Sequence, residues 1–336
     1  MEDNKPLLIV VSIVRNEAWV LNAFLSAASL WADMIVIADQ MSTDGSREIY
    51  KQYPKVHVID NDMPNMHQAA ARRLVLEETR RILNGNDNAI LFALDADEIL
   101  GGNFMQSPDW KQIIYSKPND CFEWRWMNLL PGDTQRCTYS IPTYWGVHVS
   151  EQMWDGIFPD NKVHEWRLPF PNSGSNEIEL YSVFSIHFFQ YNRKRQWSKV
   201  RFYQVNSLED RARYNVINLY RQYHSGSKQE YHQVPADAYA FYQQNGLDVL
   251  SLIETNDDAP HFTEEVKSYF SKYGTSKYAM LDIWDKEWCE KNNIAIPQRT
   301  AWQKLVMWYL KKSTPYFRSI FIRGIDYLLK KLYKRI

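Results

Sequence analysis

Asp95, Asp97 and Glu98 close an apolar run, Ala89-Ile90-Leu91-Phe92-Ala93-Leu94-Asp95-Ala96-Asp97-Glu98-Ile99-Leu100, with Gly101 and Gly102 just beyond to turn the chain. The run reads as a strand of about six residues that ends in acid. Residues two apart on a strand share a side, so the pattern predicts that Asp95 and Asp97 aim into one space at the strand's C-terminal edge. Open α/β sheets bind ligands at that edge. Two close carboxylates repel unless a cation stands between them. Hard oxygen ligands suit Mg²⁺ or Mn²⁺, which keep open positions for substrate phosphates. The same three letters also occur in solvated acidic loops, so the surrounding elements must decide.

Those elements alternate. Residues 7–14 form a continuous apolar run rich in β-branched side chains, as expected of a central strand covered on both faces, and Arg15-Asn16-Glu17 follows at its edge. Residues 18–32 carry apolar side chains at near-helical spacing. A second strand over 34–38 ends in Asp39; Ser42, Asp44 and Gly45 are placed to cap a helix over 47–53. A third strand is expected over 56–59 and a long helix over 65–83. Strands and helices in this rhythm predict an α/β protein with a mostly parallel sheet. Right-handed crossovers then bring Arg15-Asn16-Glu17, Asp39 and Asp95 to Asp97 to one side of the sheet. No Gly-x-Gly-x-x-Gly follows the first strand and no P-loop occurs, so a metal would have to do the work of a phosphate cradle.

In order, Val11-Ser12-Ile13-Val14-Arg15-Asn16-Glu17, Ala38-Asp39-Gln40-Met41-Ser42-Thr43-Asp44-Gly45-Ser46, Ala70-Ala71-Arg72-Arg73 and Leu94-Asp95-Ala96-Asp97-Glu98 resemble the signature of family 2 glycosyltransferases with the GT-A fold. The resemblance implies a Rossmann-like, mostly parallel sheet flanked by helices. It also implies a nucleotide-diphosphate sugar lying across the first two strand edges, at Arg15, Glu17 and Asp39, with Asp39 near the base. Asp95 would lie near the ribose or a metal-bound water, Asp97 would ligate Mn²⁺ or Mg²⁺, and Arg72 would approach the diphosphate. Arg73 stands where the family usually has Asn, and Gln40 where many members have a second Asp.

Beyond residue 103 the rhythm loosens. Strands are expected over 121–130 and 138–149 around Pro131-Gly132-Asp133, with Trp124, Trp126, Tyr139, Tyr144 and Trp145 on the acceptor side of the cleft. Val163-His164-Glu165 resembles the His-Glu segment of lipopolysaccharide-core-type and capsule-type bacterial members. Inverting transfer needs a base for the acceptor hydroxyl. Glu165 is the first choice, with Asp155 and Glu151 in reserve; a surface pair in a loop is the plainer account of His164-Glu165. Ser185-Ile186-His187-Phe188-Phe189 resembles the segment whose His completes metal coordination, and imidazole ligates Mn²⁺ alongside carboxylates. A core histidine among aromatic residues is the alternative for His187. Lys199 and Arg201 suit either a diphosphate or a solvated helix face.

The 336 residues carry a net charge of -1, which excludes a general affinity for nucleic acid. Thirteen Trp and twenty-one Tyr suit sugar clefts, membrane interfaces or an aromatic core. Cys121, Cys137 and Cys289 form no CxxC pair, and there is no Asn-x-Ser/Thr sequon. The N-terminus lacks the pattern of a signal peptide, and no apolar run reaches the roughly 18 residues of a membrane span. These features predict a cytoplasmic protein. Residues 297–336 contain ten basic residues and one acid, Asp326, a net charge of +9 that leaves -10 on the rest. Aromatic residues punctuate that segment, and Pro315 divides it into two helices, the second amphipathic. The pattern predicts a catalytic domain over 1–202, a helical extension over 203–296 and a basic tail over 297–336. The tail suits the inner face of an anionic membrane, or else the acidic remainder of the chain. A metal-dependent transfer of sugar to a glycan or lipid-linked acceptor in surface polysaccharide assembly is the expected activity. Nucleotidyl transfer to a sugar phosphate, or a non-catalytic scaffold, are the rivals.

Overall fold

The computed structural model describes residues 5–62, 68–156, 167–169, 174–209, 215–224 and 230–333. The chain divides into two compact units, 1–193 with 230–257, and 194–229 with 258–336. Its elements are β1 (Leu7–Val14), α1 (Ala18–Ser29), β2 (Met34–Asp39), α2 (Ser46–Tyr50), β3 (Val56–Asp60), α3 (Gln68–Leu83), β4 (Ala89–Ala93) and β5 (Glu98–Leu100). Then come α4 (Pro108–Ile114), β6 (Cys121–Leu130), β7 (Asp133–Tyr139), β8 (Thr143–His148), α5 (Glu151–Trp154), β9 (Glu177–His187), α6 (Arg193–Glu209) and α7 (Val216–His224). β10 (His232–Gln233), α8 (Ala240–Gln244), α9 (Pro260–Tyr273), α10 (Lys286–Lys291), α11 (Ala301–Ser313) and α12 (Ile320–Tyr333) complete the chain.

The first unit is built on a sheet ordered β10-β7-β6-β8-β4-β1-β2-β3, with β9 paired to β6 and β5 paired to β9. β1 pairs parallel with β2 and β4, and β2 with β3, whereas β8 runs antiparallel to β4. Side-chain alternation decides what each face buries. Leu8 and Val10 of β1, Ile35 and Ile37 of β2, and Ile90 and Phe92 of β4 pack with Val20, Leu21, Phe24 and Leu25 of α1. The alternate residues of the same strands, Ile9, Val11, Val36, Ala38, Leu91 and Ala93, pack with Val75, Leu76 and Leu83 of α3. Continuous apolar runs therefore fold here as strands buried on both faces. This is the α/β architecture that the sequence predicts, a parallel half-sheet with helices on either side.

Three local expectations change. The predicted 138–149 strand is two strands: β7 ends at Tyr139 and β8 begins at Thr143, with Pro142, which offers no N–H to a ladder, between them. The helix after Gly45 stops at Tyr50 and a turn carries the chain on. Ser42 and Asp44 do not serve simply as its caps: Gly45, at φ 98°, is the N-cap residue and makes no side-chain cap. The first residues of the predicted 65–83 helix lie outside the described residues.

Residues 230–257 complete the first unit. β10 extends the sheet on β7, Ala238 O accepts from Gly102 N at 2.7 Å, and Tyr242 Oη donates to Leu100 O at 2.7 Å. Gly101 is required: a Cβ there would stand 2.2 Å from the Phe184 ring. Some of the aromatic residues build the core, as in the edge-on packing of Trp31 with Phe92, Phe104 and Trp110. The second unit is helical. Phe202 of α6 stacks on Phe262 of α9, and Arg221 of α7 ties α11 to α12.

Candidate active site

Register places the central residues. On β9, His187 pairs with Glu98 of β5 on one side and Asn128 of β6 on the other, and directly paired residues share a face. Asn128 Oδ1 accepts from His187 Nδ1 at 2.8 Å, so a neutral His187 carries its lone pair on Nε2. That atom stands 3.6 Å from Asp97 Oδ2. Phe188 N donates to Asp97 O at 2.8 Å, which fixes the turn bearing the aspartate to the end of β9. Trp126 packs against the His187 ring at 4.9 Å and stacks on Trp145 at 4.8 Å.

Asp95 and Asp97 do not share a space by strand alternation. β4 ends at Ala93, and Glu98 N donates to Asp95 O at 3.0 Å, so residues 95–98 form a turn. The two carboxylates take different partners: Asp95 meets Arg167, and Asp97 faces His187. Glu98, fully buried, receives Arg167 through both oxygens, at 2.8 and 2.6 Å, while Arg167 Nη1 also donates to Ala93 O at 3.0 Å. The guanidinium lies 4.2 Å from the centre of the Trp145 ring. Burial pushes the Glu98 carboxyl up and Arg167 opposes it by holding the ionised form. Burial works against the charge of Arg167 too, yet Asp95 and Glu98 keep its pKa above the ordinary value. Repulsion among the acids is thus relieved first by an arginine that sequence reasoning missed. Its position two residues after Glu165 was the available signal.

Asp97, Glu98 and His187 offer ligand atoms within 4.8 Å of one another. Both Glu98 oxygens are engaged by Arg167, so the donor set reduces to a carboxylate oxygen and an imidazole nitrogen oriented from behind by Asn128. Such a mixed set fits Mn²⁺ better than Mg²⁺.

Of the other expected residues, Arg15, Glu17 and Asp39 lie at the C-terminal ends of β1 and β2. The loops after β1 and β2 are laced together: Asn16 N donates to Ser42 Oγ at 2.9 Å, Thr43 N to Asn16 Oδ1 at 2.7 Å and Ala18 N to Asp44 Oδ2 at 2.9 Å. Asp44 therefore receives the first turn of α1 as well as Ser46 N. Asp39 is fully buried and accepts from Ser42 N, Arg47 Nη1 and Tyr50 Oη at 2.9, 3.0 and 2.8 Å. It holds this loop in shape, a role its position at the strand end did not reveal. Arg15 and Glu17 are half-buried, and Glu17 Oε2 accepts from Trp19 Nε1. Arg72 is buried on α3, and with Asp95 and Arg167 it lines a small cleft over the ends of β1 and β4.

The expected acceptor wall is different. Trp124, Tyr144 and Trp145 are buried, Trp124 donating to Ser185 Oγ at 2.7 Å, and so belong to the core; Trp126 and Tyr139 retain exposure. Glu165 lies outside the described residues. Asp155 is exposed at the end of α5, and Glu151 is exposed and paired with Arg80. Arg201 meets neither expectation: it lies over the Trp288 ring at 4.5 Å within the second unit, where burial pushes its pKa down.

No family model matches the chain, and no curated protein matches it significantly. Solved structures do. One is glucosyl-3-phosphoglycerate synthase from Mycobacterium tuberculosis in complex with Mn²⁺, uridine diphosphate and glucosyl-3-phosphoglycerate, 15% identical over 38% of this chain and 45% of that one, with a TM-score of 0.24. Another is a glycosyltransferase involved in glycosylation of the major capsid of PBCV-1, 11% identical over 45% of this chain and 62% of that one, with a TM-score of 0.25. The chain thus spans less than two thirds of either neighbour. Both neighbours are glycosyltransferases, but the likeness is weak, and the site must be argued from this chain's own residues.

Proposed function

We propose that the protein is a metal-dependent, inverting glycosyltransferase of the family 2 type. It would move a sugar from a nucleotide-diphosphate sugar to a glycan or lipid-linked acceptor, at the inner face of the cytoplasmic membrane in bacterial surface polysaccharide assembly. The observation that supports the reading is the Asp97–His187–Asn128 arrangement: a carboxylate and an oriented imidazole stand past the C-terminal end of β4, the side on which open α/β sheets bind ligands. Asp97 and His187 would hold Mn²⁺, whose charge would neutralise the departing diphosphate. Arg72 would draw the phosphates towards the cleft it shares with Asp95. Arg167 is fully engaged and serves as a positioning residue, holding Asp95 and Glu98 in place. Glu165 would take the proton of the acceptor hydroxyl.

The test is thermal unfolding with a panel of nucleotide-sugars, with and without Mn²⁺, since a ligand specific to the folded state raises the midpoint. Manganese-dependent stabilisation by one donor, followed by release of its nucleoside diphosphate on adding acceptor, is the expected result. Release of pyrophosphate instead would favour nucleotidyl transfer. Turnover retained by Asp97→Ala would sink the metal assignment.

A further inference from the structure

α11 and α12 expose apolar side chains on the side that a soluble helix usually keeps polar. On α12 the buried side carries Asp326 and Leu329, whereas Ile320, Phe321, Tyr327, Leu328 and Leu332 are 50–83% exposed. Their spacing puts them on one face. On α11, Val306, Leu310 and Ser313 are buried, while Trp302, Leu305 and Trp308 form a second exposed stripe at three-residue intervals. Exposed apolar stripes on two successive helices mark an interaction site.

We infer that this face of α11 and α12 seats the protein on a membrane bearing anionic headgroups. Charge chooses the occupant. Lys304, Lys311, Lys312, Arg318, Arg323 and Lys331 of the same segment are exposed. Asp326, the one acid of residues 297–336, is turned inward, where it receives Arg221 Nε at 2.8 Å and Tyr309 Oη at 2.9 Å. The outward surface of this segment is therefore apolar and cationic without a compensating acid. A second copy of the same face would bring like charges together, whereas an anionic leaflet answers both features. Trp302, Trp308, Tyr316 and Tyr327 suit the headgroup level, where a ring with a polar tip is at home. α12 is about 21 Å long at the usual helical rise and lies along the surface; among the described residues no helix is long and apolar enough to cross a membrane. The inference rests on the proposed function only for its purpose, which is to hold the enzyme where a lipid-linked acceptor resides.

Flotation of the full chain with phosphatidylcholine vesicles, with and without phosphatidylglycerol, tests it. Binding is expected only with the anionic lipid, and salt should release it. The Phe321→Glu, Leu328→Glu double variant should lose binding. The Lys312→Glu, Arg323→Glu variant should bind more weakly, by at least about fivefold for each basic residue removed. Both should keep wild-type thermal unfolding and any manganese-dependent donor shift. Absence of flotation with anionic vesicles at low salt, or undiminished binding by the Phe321, Leu328 variant, would overturn the inference. So would a concentration-dependent dimer that these substitutions abolish in a protein that ignores vesicles. Flotation without any donor shift would leave the membrane face standing and the catalytic reading fallen.

Discussion

Arg167 grips Glu98 through both carboxylate oxygens, at 2.8 and 2.6 Å, in a setting where neither side chain is more than 5% exposed. Such a pair returns its desolvation cost only while both partners are present. Arg167→Met should therefore cost about 3–5 kcal/mol in urea unfolding, because Glu98 is left buried and uncompensated. Arg167→Met with Glu98→Gln should recover much of that loss. A single variant as stable as the wild type would show that the pair does not hold the turn after β4.

Asn128 touches His187 and makes no direct claim on a metal. By fixing Nδ1 as the donor it leaves Nε2 facing Asp97. Asn128→Leu should weaken Mn²⁺ binding roughly 10–100-fold, the usual effect of losing a residue that orients a ligand. Metal-free unfolding should lose about 1–3 kcal/mol, the cost of taking the acceptor from a nearly buried N–H. Titration followed by the electron paramagnetic resonance of free Mn²⁺ reads the first quantity. Unchanged affinity would remove His187 from the site.

Much of this was legible in the sequence because it depends on local pattern. The apolar runs at 7–14, 34–38 and 89–94 read as buried strands, and they fold as β1, β2 and β4, whose order sets the edge at which Asp39, Asp95 and Asp97 stand. What stayed hidden depends on long-range register. His187 meets Glu98 and Asn128 across separations of 89 and 59 residues, and no local period announces such a meeting. Adjacent carboxylates need a cation, and Arg167 meets that need for Asp95 and Glu98 as well as a metal would. Trp124 and Tyr144 misled because an aromatic strand reads alike whether its rings line a cleft or fill a core.

Asp39 holds its loop together, and substitution can separate that role from the donor binding proposed for it. Asp39→Ala strands the buried Ser42 N–H and Tyr50 hydroxyl, at about 1–3 kcal/mol each, and should lower stability as well as any donor binding. Tyr50→Phe removes one hydrogen bond and should cost only about 1 kcal/mol, leaving a donor-induced thermal shift intact. Loss of that shift in Tyr50→Phe would mean that loop shape, rather than the carboxylate itself, is what a donor reads.

The second unit carries a titration that should be visible in stability. His224 donates from Nε2 to Asp282 Oδ2 at 2.7 Å and from Nδ1 to Tyr220 O at 3.0 Å, and since both partners only accept, the ring must be an imidazolium to satisfy them together. The hydrogen bond to Asp282 raises the His224 pKa above its ordinary 6.5, and the bond to His224 lowers that of Asp282 below its ordinary 3.8. A raised folded-state histidine contributes its full stabilisation below 6.5 and loses it as pH rises through the higher folded value. A depressed aspartate contributes above 3.8 and fades as pH falls through its lower folded value. The pair should therefore be strongest between those two ordinary values. The urea midpoint of the wild type should fall on moving from pH 6 towards pH 8, and Asp282→Asn should flatten that part of the profile. Asp282 is more than half exposed, so the effect should also shrink in high salt. Identical pH profiles for wild type and Asp282→Asn would mean that the pair titrates alike in the folded and unfolded chain.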